Sequence, residues 1–180
     1  PASSLTLVYG DRGAGKTTFL MQLAARSIEE APLALFIDCE GNFPWERFYE
    51  ISTLGPEESA RRLKLLTDFD SLESLRRFLI SLAYAPRALR VGGCRSILVD
   101  DLPLLYQRDL PLPEDKGAAV ALNKKLNHAL ALLALLAKRL AIPVVISSPP
   151  RVIPEEGLQP LASRLLHYWC PTIVRLRLLP

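Results

Sequence analysis

The feature that most constrains the fold is a glycine-rich segment between an apolar run and a helical pattern. Residues 10–17 read Gly-Asp-Arg-Gly-Ala-Gly-Lys-Thr, which satisfies G-x-x-x-x-G-K-[ST]. The apolar run at residues 5–9 predicts a buried strand, and the apolar spacing over residues 17–30 predicts a helix. Glycines let several backbone N–H groups of such a turn point inward, and the helix start adds its positive dipole end. Residues 10–17 are therefore predicted to bind phosphate, and we name them the phosphate loop.

The chemistry of the phosphate loop favours a nucleoside triphosphate, and we expect ATP with Mg²⁺. Lys16 can reach the β- and γ-phosphate oxygens and is expected to act in catalysis, while the Thr17 hydroxyl can ligate Mg²⁺. The nucleotide-binding residues expected from the motif are Gly10, Asp11, Arg12, Gly13, Ala14, Gly15, Lys16, Thr17 and Thr18.

A second metal ligand is expected from the apolar run Ser96-Ile97-Leu98-Val99-Asp100. A buried strand of this form delivers a carboxylate to the carboxyl edge of the sheet, beside the metal. We therefore assign Asp100 to Mg²⁺. Asp101 could substitute for it, although its side chain would point the other way if the strand continued.

The rest of the chain alternates strand and helix patterns. Further strands are expected at residues 33–37, 96–99, 143–146 and 173–178. Helices are expected at residues 57–66, from a capping box at Asp70-Ser71-Leu72-Glu73 to about Tyr84, and at residues 118–140. This order predicts an α/β fold with a doubly wound, mainly parallel sheet, closed by an antiparallel edge strand at the C-terminus. We expect one domain over residues 1–180.

Composition narrows the class of protein. With 49% hydrophobic and 23% charged residues, the chain should be globular and folded. Its most apolar stretch, residues 129–137, is shorter than the roughly 20 residues that span a bilayer, so no membrane segment is expected. No basic segment precedes the first strand, which favours an intracellular, cytoplasmic protein, and scarce Asn and Gln suit a thermophilic prokaryote. The three cysteines are far apart and lack C-x-x-C spacing, which argues against a disulfide framework or a zinc site.

Residues 35–48 carry a more specific resemblance. Ile37-Asp38-Cys39-Glu40, followed by Phe43 and by Glu46-Arg47, resembles the I-D-x-E-x-x-F-x-x-E-R motif of RecA-type recombinases. The resemblance is to the branch that contains archaeal RadA and the RadB-like paralogues. It implies that Glu40 polarises the water that attacks the γ-phosphate and that Arg47 packs its guanidinium against adenine. The alternative is that Glu40 merely ends a strand and Arg47 pairs with a glutamate of its own helix.

The resemblance extends over most of the chain, with three departures. Residues 99–108 are similar to the family's Walker B strand entering its first DNA loop, residues 122–140 to its long helix, and residues 160–177 to its closing segment. Ser147-Ser148-Pro149-Pro150 stand where the family has Thr-Asn-Gln-Val, whose glutamine links nucleotide state to DNA. Only residues 151–159 occupy the place of the family's second DNA loop, and Ala162-Ser163 stand where the family has Gly-Gly. We also expect no N-terminal DNA-binding domain or polymerisation linker ahead of the first strand.

The function implied is that of a RecA-family paralogue that binds ATP, hydrolyses it slowly and assists DNA recombination or repair. Its expected partner is a recombinase or another paralogue. Arg108, Lys116 and Arg151 could contact the phosphates of single-stranded DNA weakly, or they could be solvated surface charge. Two alternatives remain: an ATP-binding switch module with negligible turnover, and a small phosphotransferase with a lid formed by Arg87, Arg90 and Arg95.

Overall fold

The computed structural model describes residues 3–153 and 157–178. The strands are β1 (Leu5–Gly10), β2 (Leu33–Asp38), β3 (Leu63–Leu66), β4 (Cys94–Asp100), β5 (Val144–Ser148), β6 (Pro150–Ile153), β7 (Gly157–Pro160) and β8 (Thr172–Leu176). The helices are α1 (Lys16–Glu30), α2 (Trp45–Ile51), α3 (Pro56–Arg62), α4 (Leu72–Tyr84), α5 (Arg87–Val91), α6 (Leu102–Arg108), α7 (Lys116–Leu140) and α8 (Ser163–Trp169).

Six strands form one sheet in the order β3-β2-β4-β5-β1-β8, and all of its pairings are parallel. Successive side chains of a strand point to opposite faces, so β1 sends Leu7 to one face and Val8 to the other. The Leu7 face packs on α4 and α7, and the Val8 face packs on α1 and α2. Covering both faces explains the nearly continuous apolar runs of the central strands. The predicted doubly wound α/β fold is therefore confirmed.

The direction of the closing strand differs from the expectation. β8 lies at the sheet edge beside β1, as predicted, but it runs parallel to β1, with Thr172 opposite Thr6 and Leu176 opposite Gly10. The reason is α8, which returns the chain to the opposite end of the sheet before β8 begins. Antiparallel pairing occurs instead in a separate two-stranded sheet, where β6 pairs with β7.

Two helix predictions need correction. The helix expected over residues 57–66 ends at Arg62, because the apolar residues that follow it pair with β2 as strand β3. The capping box lies one residue later than expected: the Ser71 hydroxyl accepts the N–H of Ser74 at 3.2 Å, and Glu73 instead pairs with arginines of its own helix. The predicted end of this helix at Tyr84 is confirmed.

The segment after Asp100, expected to enter a DNA loop, begins with helix α6. Asp101 occupies its N-cap position and Pro103 lies in its first turn, where proline is well tolerated. β4 therefore ends at Asp100, which decides where the Asp101 side chain points.

Helix α7 has the length and composition to cross a bilayer. Its apolar face is nevertheless used within the protein: Leu126, Leu130 and Leu133 are fully buried in the cluster that packs on the sheet. α7 also packs along α4. This burial assigns α7 to the core of the α/β fold.

Candidate nucleotide and metal site

The phosphate loop joins the carboxyl end of β1 to the first turn of α1. Gly13 and Gly15 have φ angles of 80° and 85°, the left-handed region that favours glycine. Gly15 is the N-cap of α1 and brings no side chain to cap the helix, and no acidic residue lies in its first turn. The first N–H groups of a helix lack partners within the helix, and phosphate oxygens are suited to accept from them.

Gly10 is constrained by packing as well as by the turn. A Cβ at this position would lie 2.3 Å from the backbone oxygen of Leu176 on β8. The first glycine of the motif is therefore needed for β8 to pair closely with β1, a reason that the motif itself does not reveal.

Lys16 lies over the loop that it is expected to serve. Its Nζ donates hydrogen bonds to the backbone oxygens of Gly10, at 3.1 Å, and of Asp11, at 3.2 Å. Asp11 and Arg12 are exposed at the tip of the loop, whereas Thr17 and its neighbour Thr18 are half-buried. The ammonium therefore sits at the mouth of the loop, where phosphate oxygens can replace two neutral carbonyls.

The two residues expected to share Mg²⁺ are in direct contact. The Thr17 hydroxyl donates to Oδ2 of Asp100 at 2.7 Å, although the residues are 83 positions apart. Asp100 is 8% exposed, and burial is the main cause that raises its pKa, partly offset by hydrogen bonds from Ser147 and Thr17. A hydroxyl and a carboxylate are oxygen ligands of the kind that Mg²⁺ prefers, so this pair fits the metal.

A second carboxylate and a hydroxyl complete this cluster. β4 ends at Asp100, so Asp101 does not continue the strand. Its side chain therefore turns to the same side of the sheet as that of Asp100 and not to the opposite side. The Ser147 hydroxyl lies within hydrogen-bonding distance of Oδ1 of Asp100 and 2.8 Å from Oδ1 of Asp101. Burial, and then the charge of Asp100, raises the pKa of Asp101 to about 6.

Ser147 was not expected to take part in this site. It belongs to β5, which lies between β4 and β1, and it pairs with Val8 just before the phosphate loop. Its side chain is fully buried. The available signal was a serine that ends the apolar run Val144-Val145-Ile146 at the carboxyl edge of the sheet.

The segment that carries the family motif is held by Asp38. Its carboxylate accepts the backbone N–H groups of Glu40 at 2.9 Å, Gly41 at 3.1 Å and Asn42 at 2.8 Å. The Glu40 side chain is exposed and accepts from the amide of Asn42 at 3.0 Å, and its charge contributes to the raised pKa of Asp100. Glu40 therefore lies at the same edge of the sheet as the proposed metal ligands.

Arg47 pairs with a glutamate of its own helix, the alternative to adenine contact that the sequence left open. It is exposed on α2 and donates to Glu50, one helical turn away, at 2.7 Å. Contact with adenine would require the guanidinium to leave this surface ion pair. Exposed pairs of this kind contribute little, about 0–1 kcal/mol, so the pair would not prevent that movement.

The expected DNA contacts are exposed, but they do not all converge. Arg151 lines a cavity of about 330 Å³ together with Tyr106, Asn123 and Arg164. Arg108 and Lys116 lie outside that lining, and Arg108 donates to the backbone oxygen of Asp70 at 3.3 Å. Arg164, at the start of α8, is a cation that the sequence reasoning missed.

The arginines considered as a phosphotransferase lid lie at the opposite end of the sheet. α5 leads into the start of β4, whereas the phosphate loop follows the end of the parallel strand β1. Arg90 donates to the backbone oxygen of Arg139 at 2.6 Å, and Arg95 lies 3.9 Å from Glu30. The geometry does not support a lid over the nucleotide.

The phosphate loop follows β1 of a parallel sheet, and Asp100, which contacts Thr17 of that loop, ends β4, which is separated from β1 by the single strand β5. This arrangement is that of a P-loop protein of the RecA-like class. No protein-family model matches the chain. The chain is 31% identical over 176 residues to the DNA repair and recombination protein RadB of Thermococcus onnurineus, covering 96% of this chain and 72% of that protein.

Two further relatives carry the same description. RadB of Thermococcus gammatolerans is 30% identical over 180 residues, with 98% of this chain and 75% of the relative covered. RadB of Methanococcus maripaludis is 24% identical over 176 residues, with 96% and 76% covered. The chain therefore belongs to the RadB family of DNA repair and recombination proteins, and the resemblance to RecA-type recombinases is confirmed.

Proposed function

We propose that this chain binds ATP with Mg²⁺ at the phosphate loop, hydrolyses it slowly and acts as an accessory factor in DNA recombination or repair. The observation that carries the proposal is the contact between Thr17 and Asp100, which unites the two metal-directed residues predicted from separate motifs. In this proposal Lys16 and the N–H groups at the start of α1 bind the phosphates. Mg²⁺, when bound, supplies positive charge that stabilises the leaving phosphate oxygens.

The proposed catalytic residue is Glu40, which would orient the attacking water. Its carboxylate is exposed and held by the Asn42 side chain rather than fixed in a dry site. General-base catalysis depends on close positioning of the base, and exclusion of water strengthens it. A solvated, loosely held base is the physical reason to expect slow turnover.

The proposed role in DNA metabolism rests on the family and on a small set of exposed cations. The relatives are named DNA repair and recombination proteins. Arg151 and Arg164 share one cavity, and Arg108 and Lys116 are exposed on α6 and α7. Few cations imply weak, salt-sensitive contact with single-stranded DNA. We therefore propose that a recombinase or another RecA-family paralogue is the working partner, in the cytoplasm.

The nucleotide assignment is tested by calorimetry of ATP with Mg²⁺ on the Lys16→Ala variant. Removing the ammonium that faces the phosphates should abolish measurable binding. Lys138→Ala is the control, because Lys138 is exposed near the end of α7, at the other edge of the sheet. Unchanged affinity in Lys16→Ala, or equal loss in both variants, would contradict the assignment.

A second candidate function is an ATP-dependent switch module with negligible turnover, which the exposure of Glu40 favours. The two functions differ in the fate of the nucleotide. Incubation with ATP and Mg²⁺, with and without DNA, followed by measurement of released phosphate, separates them. Phosphate release that disappears in Glu40→Gln supports the enzyme, whereas intact bound ATP supports the switch.

A further inference from the structure

An unusual concentration of negative charge lies beside the phosphate loop. Asp38, Asp100 and Asp101 are buried there, and Glu40 lies on the neighbouring loop. These groups interact electrostatically: the charges of Asp38 and Glu40 contribute to the raised pKa of Asp100, and those of Asp100 and Glu40 to that of Asp101. Lys16 is the cation that offsets the charge at Asp101. Free ATP, itself a polyanion, would meet this cluster.

On the basis of the function proposed above, we propose that Asp101 is a specificity-determining residue of the nucleotide site. Its charge, aligned by Ser147, makes the site accept ATP as the Mg²⁺ complex and reject free ATP. Asp100 is the carboxylate that the motif requires, so Asp101 is an additional charge in the same place. One extra buried charge affects a nearby anion strongly, because the screening by water is weaker there.

Ser147 is the positioning residue for this effect. Its hydroxyl has one proton and lies between the two carboxylates, while Thr17 donates to the other oxygen of Asp100. Asp101 is thereby held toward the nucleotide side of the sheet although it is the N-cap residue of α6, whose backbone its side chain does not cap.

In this proposal Mg²⁺ would allow the acidic cluster and the triphosphate, which are both negatively charged, to lie close together. Among the described residues, no group of three or more His, Cys, Asp or Glu side chains is arranged to hold a metal by itself. Mg²⁺ commonly binds through one or two carboxylates together with phosphate oxygens and waters. The acidic cluster and the triphosphate therefore become compatible through the cation that they share.

The test measures the dissociation constant of ATP by calorimetry at pH 8, once with Mg²⁺ and once with EDTA. The parent should bind free ATP much more weakly than ATP with Mg²⁺. Asp101→Asn should strengthen the binding of free ATP about 10-fold or more and weaken that of the Mg²⁺ complex. The ratio of the dissociation constant of free ATP to that of ATP with Mg²⁺ should therefore fall. Asp101→Ser is a second variant with the same expectation.

If Ser147 positions Asp101, substitutions of Ser147 should also change this ratio. Ser147→Ala should lower the ratio by about 3-fold or more, the scale of one hydrogen bond, and Ser147→Thr should restore it because the hydroxyl is retained. Asp68→Asn is the matched control: Asp68 is exposed, and its φ of 66° is one that Asn tolerates. It removes the same charge outside the cluster and should leave the ratio unchanged.

The outcomes distinguish this inference from the function on which it rests. If folded Asp101→Asn and Asp101→Ser keep the parent ratio while ATP still binds, Asp101 does not determine specificity and the inference is wrong, whereas the nucleotide site stands. If the parent binds ATP in neither condition, the proposed function fails and the inference fails with it. If Asp68→Asn lowers the ratio equally, the effect is one of net charge and the assignment to Asp101 is refuted.

Discussion

Asp101 should also govern how the stability of the metal-free protein changes with pH. Burial, and then the charge of Asp100, raises its pKa from the ordinary 3.8 to about 6. Because the folded-state pKa is above the unfolded one, the folded protein holds the proton more tightly. The resulting stabilisation is complete below about pH 4 and is lost as the pH rises through 6, and a shift of this size corresponds to at most about 3 kcal/mol.

Asp101→Asn removes this dependence, because Asn is neutral at every pH and can still accept a hydrogen bond from Ser147. The variant should be more stable than the parent at pH 8, by up to about 3 kcal/mol in the free energy of unfolding. For a folded chain of 180 residues each kcal/mol shifts Tm by about 2–4 °C, so we expect an increase of several degrees. The advantage should shrink toward zero near pH 4.

The measurement is thermal unfolding in EDTA at a series of pH values, with the difference in Tm between variant and parent as the quantity of interest. Asp68→Asn, which removes an exposed carboxylate, should give a small difference that does not depend on pH in this way. A variant that is no more stable than the parent at pH 8, or whose difference is flat between pH 4 and 8, would refute the reasoning.

Three further predictions concern the rest of the nucleotide site and the proposed DNA contact. Glu40→Gln should keep ATP affinity but lower phosphate release by roughly 10²-fold or more, the scale for loss of a positioned base, and unchanged release would make Glu40 structural. Gly10→Ala should lower the stability by about 1–3 kcal/mol, measured as the denaturant midpoint, because its Cβ would meet the backbone of β8, whereas Gly55→Ala, with nothing within 4 Å of the added Cβ, should not. Binding of single-stranded DNA is measured by fluorescence anisotropy at several salt concentrations, and the logarithm of the binding constant should fall with the logarithm of the salt concentration with a slope of about −2 to −3. Arg151→Ala should reduce the magnitude of this slope by about 1. A slope near zero in the parent, or the same slope in the variant as in the parent, would contradict the phosphate contact.

The parts of the fold and site that could be predicted are those that depend on residues close together in the sequence. The phosphate loop combines a motif with a strand before it and a helix after it. The apolar run that ends at Asp100 has the length and composition of a buried strand. β3 could not be assigned because Leu63-Lys64-Leu65-Leu66 fits both the end of a helix and a short strand, and only pairing with β2 decides between them. The direction of β8 was equally hidden, since an alternating edge strand has the same pattern whether it is parallel or antiparallel to its neighbour.

The position of Asp101 is different, because the sequence carried a signal for it. Two adjacent acids at the end of a strand face opposite sides only as long as the strand continues. Asp101-Leu102-Pro103 has the form of a helix start, with an acid at the N-cap and a proline in the first turn, and such a start ends the strand at Asp100. Both carboxylates are then free to turn toward the phosphate loop. An acidic pair followed by a helix start is therefore evidence for two negative charges beside the nucleotide. The repulsion between these charges and free ATP is the physical basis of the proposed requirement for Mg²⁺.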